Sequence, residues 1–292
     1  MHADEHLTDV PLVQQLLAAQ FPEWAALPIE RVPSSGTDNA LYRLGDDMVV
    51  RLPRIKWATA GIGKDFGWLP LLAPLLPVAI PSPLARGRPG SGYPWEWGVY
   101  TWLGGQNPEV GAGSEAIARD VADLLRSLRR VDLPNPPACR RGKPLASQND
   151  QTRKALDGLE GLVDAELAAA VWDEALALPD WAGPALWLHG DLLPGNLLVQ
   201  GGRLTGVIDF AVMGVGDPSC DLIPAWSVFE GDARDLFRRE VEVDDFTWAR
   251  GRAWALSIGL GALPYYRETN PAFAAVAQHM ISQVLAEPNV RS

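Results

Sequence analysis

HGDLLPGN, residues 189 to 196, follows an apolar run and is followed by another, LLVQ (197 to 200); GVIDF comes at 206 to 210. An unpaired carboxylate is costly to bury. Asp191 and Asp209 stand at such points, so each calls for a compensating partner. ALWLH (185 to 189) reads as a buried strand, LLVQ as a second, GGRL as a turn and LTGVIDF (204 to 210) as a third. Asp191 and Asn196 then lie on the loop before a hairpin, and Asp209 at the end of its return strand. A hairpin brings its ends together, so the three groups are expected to converge. Two carboxylates and an amide oxygen make a hard-oxygen cage. Such a cage suits Mg²⁺, which takes few protein ligands and shares the rest with phosphates and water. The cation would also offset the repulsion between the acids.

The chain has 292 residues, of which 47% are hydrophobic, and a net charge of -11. That length fits two lobes better than one core. The acidic balance speaks against nucleic acid as a partner, because phosphates need a basic face. It would suit a cationic ligand, although an ordinary acidic protein is the default reading. Cys139 and Cys220 form no CxxC motif, which points to a reducing compartment. MHADEHLTDV at the start is too polar for a signal peptide. The run WLPLLAPLLPVAIP (68 to 81) contains Pro70, Pro74, Pro77 and Pro81, so it reads as a short helix and an extended segment, not a membrane span. A cytoplasmic protein, monomer or dimer, with no membrane partner is expected.

The pattern changes near residue 104. Before it, ALYRL (40 to 44) and MVVRL (48 to 52) flank GDD as a hairpin, and WGVYTWL (97 to 103) has strand composition. Gly104 and Gly105 read as a hinge. After it, apolar residues at 117, 121, 124, 125, 128 and 131 make a helical stripe, with Ser114 as N-cap. Helices are also expected over 164 to 178, 245 to 264 and 271 to 286. The basic cluster CRRGKP (139 to 144) reads as a solvated loop.

HGDLLPGN, IDF and GDPSCDL (216 to 222), in this order, resemble the motifs of the aminoglycoside phosphotransferase family, small-molecule kinases with a protein-kinase-like fold. The resemblance covers nearly the whole chain. It implies an α+β, two-lobed fold, with a β-rich nucleotide-binding lobe over 1 to 103 and a mainly helical catalytic lobe over 104 to 292. HGDLLPGN takes the place of the catalytic loop and IDF that of the metal-binding DFG, with Ala211 in place of its glycine. Asp191 would act on the acceptor hydroxyl, and Asn196 and Asp209 would hold Mg²⁺ against the phosphates of ATP or GTP. Phosphoryl transfer asks mainly for positioning and charge neutralisation, so this set suffices. His189 is expected to orient the loop, and Asp217 and Asp221 to cap and brace it.

The resemblance also implies roles in the first lobe. Ser35 and Gly36, within SSGTDNALYRL (34 to 44), would cover the phosphates. Arg51 sits where a protein kinase has its third-strand lysine, and Asp65 where it has the helix glutamate. Arginine is not equivalent to lysine, and Asp is one methylene shorter than Glu. The base would lie against Trp102, Leu103 and Gly104, residues that serve equally as strand core. In EGDARDLFRREVEVDD (230 to 245), Glu230 and Asp232 would form an acidic wall for a cationic acceptor, or else part of a solvated helix face. Trp226 and Trp248 are further candidates for the acceptor cleft. The resulting expectation is a phosphotransferase acting on a small-molecule hydroxyl, foremost an aminoglycoside. A macrolide or metabolite kinase, a silent nucleotide-binding protein and a metal-dependent hydrolase are the alternatives.

Overall fold

The computed structural model describes residues 5–33, 38–159 and 161–287. It divides into two compact units. The first comprises Met1–Leu75, Ala79–Gly104 and Gly206–Ala211; the second comprises Leu76–Val78, Gly105–Thr205 and Val212–Ser292.

The first unit is built on five strands: β1 (Ile29–Arg31), β2 (Asn39–Leu44), β3 (Met48–Pro53), β4 (Pro83–Gly87) and β5 (Trp97–Thr101). They form one antiparallel sheet in the order β1-β2-β3-β5-β4. The expected hairpin is β2–β3, closed at Leu44↔Met48. Gly45 takes φ 58 in its turn, a conformation open to glycine at little cost. Alternate residues of β2, namely Ala40, Tyr42 and Leu44, point inward, as the period of a strand requires. They pack with Val50, Leu52, Trp97 and Val99 against Val13, Leu16 and Leu17 of helix α1 (Val10–Gln20). Helix α2 (Ala60–Leu72) carries Asp65 on its buried side and continues through Pro70, so it starts well before the proline-rich run in which a short helix was expected. Segment 206–211 joins this unit through Val207, whose N–H donates to the Ala79 carbonyl at 3.0 Å.

The second unit is mainly helical. Its helices are α3 (Glu115–Arg129), α4 (Asn149–Asp157), α5 (Ala165–Leu176), α6 (Pro224–Ser227), α7 (Gly231–Glu240), α8 (Asp245–Tyr266) and α9 (Pro271–Ala286). Ser114 caps α3, accepting from the Ile117 N–H at 3.3 Å. Helix α8 is apolar on nearly every side; it buries Trp248, Trp254, Leu256 and Leu260 and so runs through the core. Two short strand pairs carry the motifs. Strand β6 (Leu186–Leu188) pairs with β9 (Gly214–Gly216), and β7 (Leu197–Gln200) with β8 (Arg203–Val207), whose last residues count with the first unit. Gly201 and Gly202, at φ 60 and 77, make the two-residue turn of β7–β8.

Candidate active site

In the second unit, β6 ends at Leu188 and the chain enters the polar loop. Asp221 braces this loop from behind. Its Oδ2 accepts from the His189 N–H at 2.8 Å and its Oδ1 from the Gly190 N–H at 2.6 Å. Burial pushes the Asp221 carboxyl up, against the pull of His189 and of these two N–H donors. His189 is buried, and its Nδ1 accepts from the Asp191 N–H at 3.1 Å. Gly190 turns the chain at φ 84. Asn196 closes the loop: its Nδ2 donates to the Asp191 carbonyl at 2.7 Å and to Asp191 Oδ2 at 3.2 Å. The amide nitrogen is thereby engaged, which leaves the amide oxygen, the atom a hard cation would use. Asn107, not singled out in the sequence, fixes the loop exit by donating to the Gly195 and Leu197 carbonyls at 3.0 and 2.9 Å.

The basic cluster at 139–144 departs from the expectation of a solvated loop. Arg140 is exposed, but Arg141 packs against the 189–196 loop. Its Nη1 donates to the Gly190 carbonyl at 3.0 Å and pairs with Asp191 Oδ1. A cation held on a partly buried carboxylate satisfies both groups.

The first unit holds a second charged cluster. Arg51 Nη1 lies 2.6 Å from Asp65 Oδ2, and Arg51 Nη2 lies 3.4 Å from Asp209 Oδ1. Tyr100 donates its hydroxyl to Asp65 Oδ2 at 3.1 Å. A Cβ on Gly98 would meet the Tyr100 ring at 2.5 Å, so glycine is what lets that ring lie there. Asp65 is 1% exposed and its Oδ1 has no hydrogen-bond partner among the described residues. Burial raises its carboxyl to about 6, a rise that Arg51 opposes. Burial pulls the Arg51 guanidinium down, but Asp65 and Asp209 outweigh it and hold the cation firmly charged. Asp209 stands at φ 62 with 43% of its side chain exposed. Asp tolerates this left-handed conformation better than most residues, and strained backbone recurs at functional sites.

The structure thus joins Asp191 with Asn196, and Arg51 with Asp65 and Asp209, with the expected trio shared between two units. Ser35 and Gly36 lie outside the described residues. Trp102 is half-buried beneath the Arg43 guanidinium, 4.2 Å from its ring centre, and its backbone N–H donates to the Asp47 carbonyl; Leu103 is half-buried and Gly104 exposed. Glu230 precedes α7 with its carboxylate 3.6 Å from His279 Nε2 and 3.1 Å from Gln283 Nε2; Asp232 is exposed in the first turn of α7. Trp226 does not line an open cleft. It is 0% exposed, stacked near Trp248, which is buried too, and both indoles donate to the Glu287 carboxylate. Aromatic composition alone does not tell core from cleft.

Residues 29–254 match the model of the phosphotransferase enzyme family, and the chain belongs to that family. An aminoglycoside 3'-phosphotransferase of Streptomyces fradiae is 32% identical over 141 residues, covering 46% of this chain and 47% of the relative. The chain spans about half the length of the curated relatives it matches. The GDP and kanamycin complex of the aminoglycoside phosphotransferase APH(2")-IIIa superposes with a TM-score of 0.73 at 19% identity, covering 93% of this chain and 97% of that one. The macrolide 2'-phosphotransferase MphH of Brachybacterium faecium superposes with a TM-score of 0.62 at 22% identity, covering 97% and 100%. These likenesses establish the two-lobed kinase-like fold. No helix among the described residues is long and apolar enough to cross a membrane.

Proposed function

We propose that the protein transfers the γ-phosphoryl group of ATP or GTP to a hydroxyl of a small molecule, foremost an aminoglycoside. The observation that carries the reading is the Arg51 cluster. A buried guanidinium is bonded to Asp65 and reaches Asp209, the acid of the IDF motif. A cation fixed in this way suits the α- and β-phosphates. Asp191 accepts or orients the acceptor proton. Asn196 and Asp209 fit Mg²⁺ by their chemistry: an amide oxygen left by the Asn196–Asp191 bonds and a carboxylate open to solvent. When bound, the cation neutralises charge on the phosphates. Trp102, Leu103 and Gly104 serve the base, and Ser35 and Gly36 the phosphates. Glu230 and Asp232 serve a cationic acceptor.

A second reading, a less cationic acceptor such as a macrolide, is favoured by Glu230 being engaged by Gln283. Nucleotide turnover against aminoglycosides, macrolides and amino-alcohol metabolites separates the two. A polyamine sugar should give the highest kcat/KM, with KM rising steeply with salt, since exposed pairs are screened within roughly 8–10 Å. A macrolide turned over best, with little salt dependence, supports the second reading. No turnover with any acceptor refutes both.

A further inference from the structure

The segment bearing Arg141 is fastened to the strand pair from which the catalytic loop emerges. The Cys139 N–H donates to the Val215 carbonyl at 3.0 Å, and the Val215 N–H to the Pro137 carbonyl at 2.8 Å. The Asp217 N–H donates to the Gly142 carbonyl at 2.9 Å. Ala138 and Val215 form a parallel bridge. The backbones meet so closely that side chains are excluded. A Cβ on Gly216 would lie 2.3 Å from the Gly142 carbonyl oxygen, and one on Gly214 2.5 Å from that of Pro137. Beneath the loop, a Cβ on Gly190 would meet Cys139 Sγ at 2.9 Å. Arg141 is therefore delivered by a fixed backbone.

From there Nη1 spans the Gly190 carbonyl and Asp191 Oδ1, while Asn196 holds Oδ2. Both described bonds of the guanidinium use Nη1, and the side chain keeps 28% exposure. With Oδ1 taken by Arg141 and Oδ2 by Asn196, only one setting of the carboxylate keeps both bonds.

We propose that Arg141 is a positioning residue for phosphoryl transfer: it and Asn196 grip the two oxygens of Asp191 and fix the rotamer in which the acceptor hydroxyl is met. The inference rests on Asp191 being the group that receives that hydroxyl. Carboxylate rotation is what the grip prevents, and misplacement of a catalytic group by about 1 Å costs on the order of 10²-fold in rate.

The test is steady-state kinetics on Arg141→Ala and Arg141→Lys, with Arg140→Ala as an exposed neighbour of equal charge change. Arg141→Ala should lower kcat about 10²-fold with the KM for nucleotide nearly unchanged. Arg141→Lys should recover part of the rate, and added guanidinium ion should do the same for Arg141→Ala while urea does not. Arg140→Ala should behave as wild type. Wild-type kcat in Arg141→Ala, or an equal loss in Arg140→Ala, overturns the proposal. If the wild type turns over no acceptor, the phosphotransferase reading fails separately. The grip is then decided by melting temperatures of Arg141→Ala, Asp191→Ala and the double variant. Non-additive shifts support it and additive shifts overturn it.

Discussion

The Arg51 cluster of the first unit and the Asp191 loop of the second are held by different means. In the first, Arg51, Asp65 and Asp209 hold one another, with Tyr100 as the neutral donor. In the second, the loop that carries Asp191 is braced through backbone groups: Asp221 ties down two loop N–H groups, and Arg141, which grips the carboxylate with Asn196, arrives on a segment zipped to β9. Ion pairing in a buried site is strong but fragile, because removing one partner strands the other's charge. Backbone bracing spreads the load over several modest bonds. On the proposed function the contrast matches two tasks: phosphates need a charge held in place, whereas an acceptor hydroxyl needs a carboxylate that stays partly open.

Mutations can break this contrast. The largest expected effect is on chemistry. Asp191→Asn should lower kcat by about 10²–10⁴-fold, the range of a general base, and leave nucleotide affinity nearly intact in calorimetry. Unchanged turnover removes Asp191 from its role.

The next effect is on stability. Asp65→Ala leaves the Arg51 charge buried and one partner short, and should cost about 3–5 kcal/mol in denaturant unfolding. The Arg51→Ala and Asp65→Ala effects should be strongly non-additive. Asp221→Ala leaves the His189 and Gly190 N–H groups without their acceptor, and should cost a smaller 1–3 kcal/mol or so. An Asp221 effect larger than the Asp65 effect would reverse the comparison.

Proton titration sharpens it. The Asp65 carboxyl is raised from 3.8 to about 6 in the folded protein. Between these values the folded state binds more protons than the unfolded one, so this group's contribution to stability falls as pH rises from 4 to 6. The nucleotide should follow the opposite course, since the ionised carboxylate orients Arg51 and affinity should weaken as pH drops through 6. Comparing melting temperature and nucleotide affinity across this range in wild type and Asp65→Asn checks both signs. The smallest effect concerns the α7 acids. Glu230→Gln with Asp232→Asn should raise KM for a cationic acceptor with little change in kcat.

Much of this was legible before folding. The spacing of Asp191, Asn196 and Asp209 marks a loop, a hairpin and its return strand, and Ser114 with its stripe marks α3. Arg141 was not legible, because its role depends on a parallel bridge between Ala138 and Val215, residues remote in sequence. Trp226 was misplaced because an indole is at home in core and cleft alike; only its contact with Glu287 decides. Helix α1 escaped notice for want of a clear stripe, although Asp9 accepting from the Leu12 N–H at its cap, followed by Pro11, gave a local start signal.

Phosphoryl transfer to a small-molecule hydroxyl, with Asp191 as the group that receives the proton, is open to direct measurement. Phosphorus NMR of a reaction containing the protein, Mg²⁺–ATP or Mg²⁺–GTP and an aminoglycoside reports it directly. The predicted result is a new phosphomonoester resonance growing as the γ-phosphate signal falls, and its near absence with Asp191→Asn. Intact nucleotide, inorganic phosphate as the sole product with every acceptor, or an undiminished phosphomonoester signal with Asp191→Asn would contradict the account.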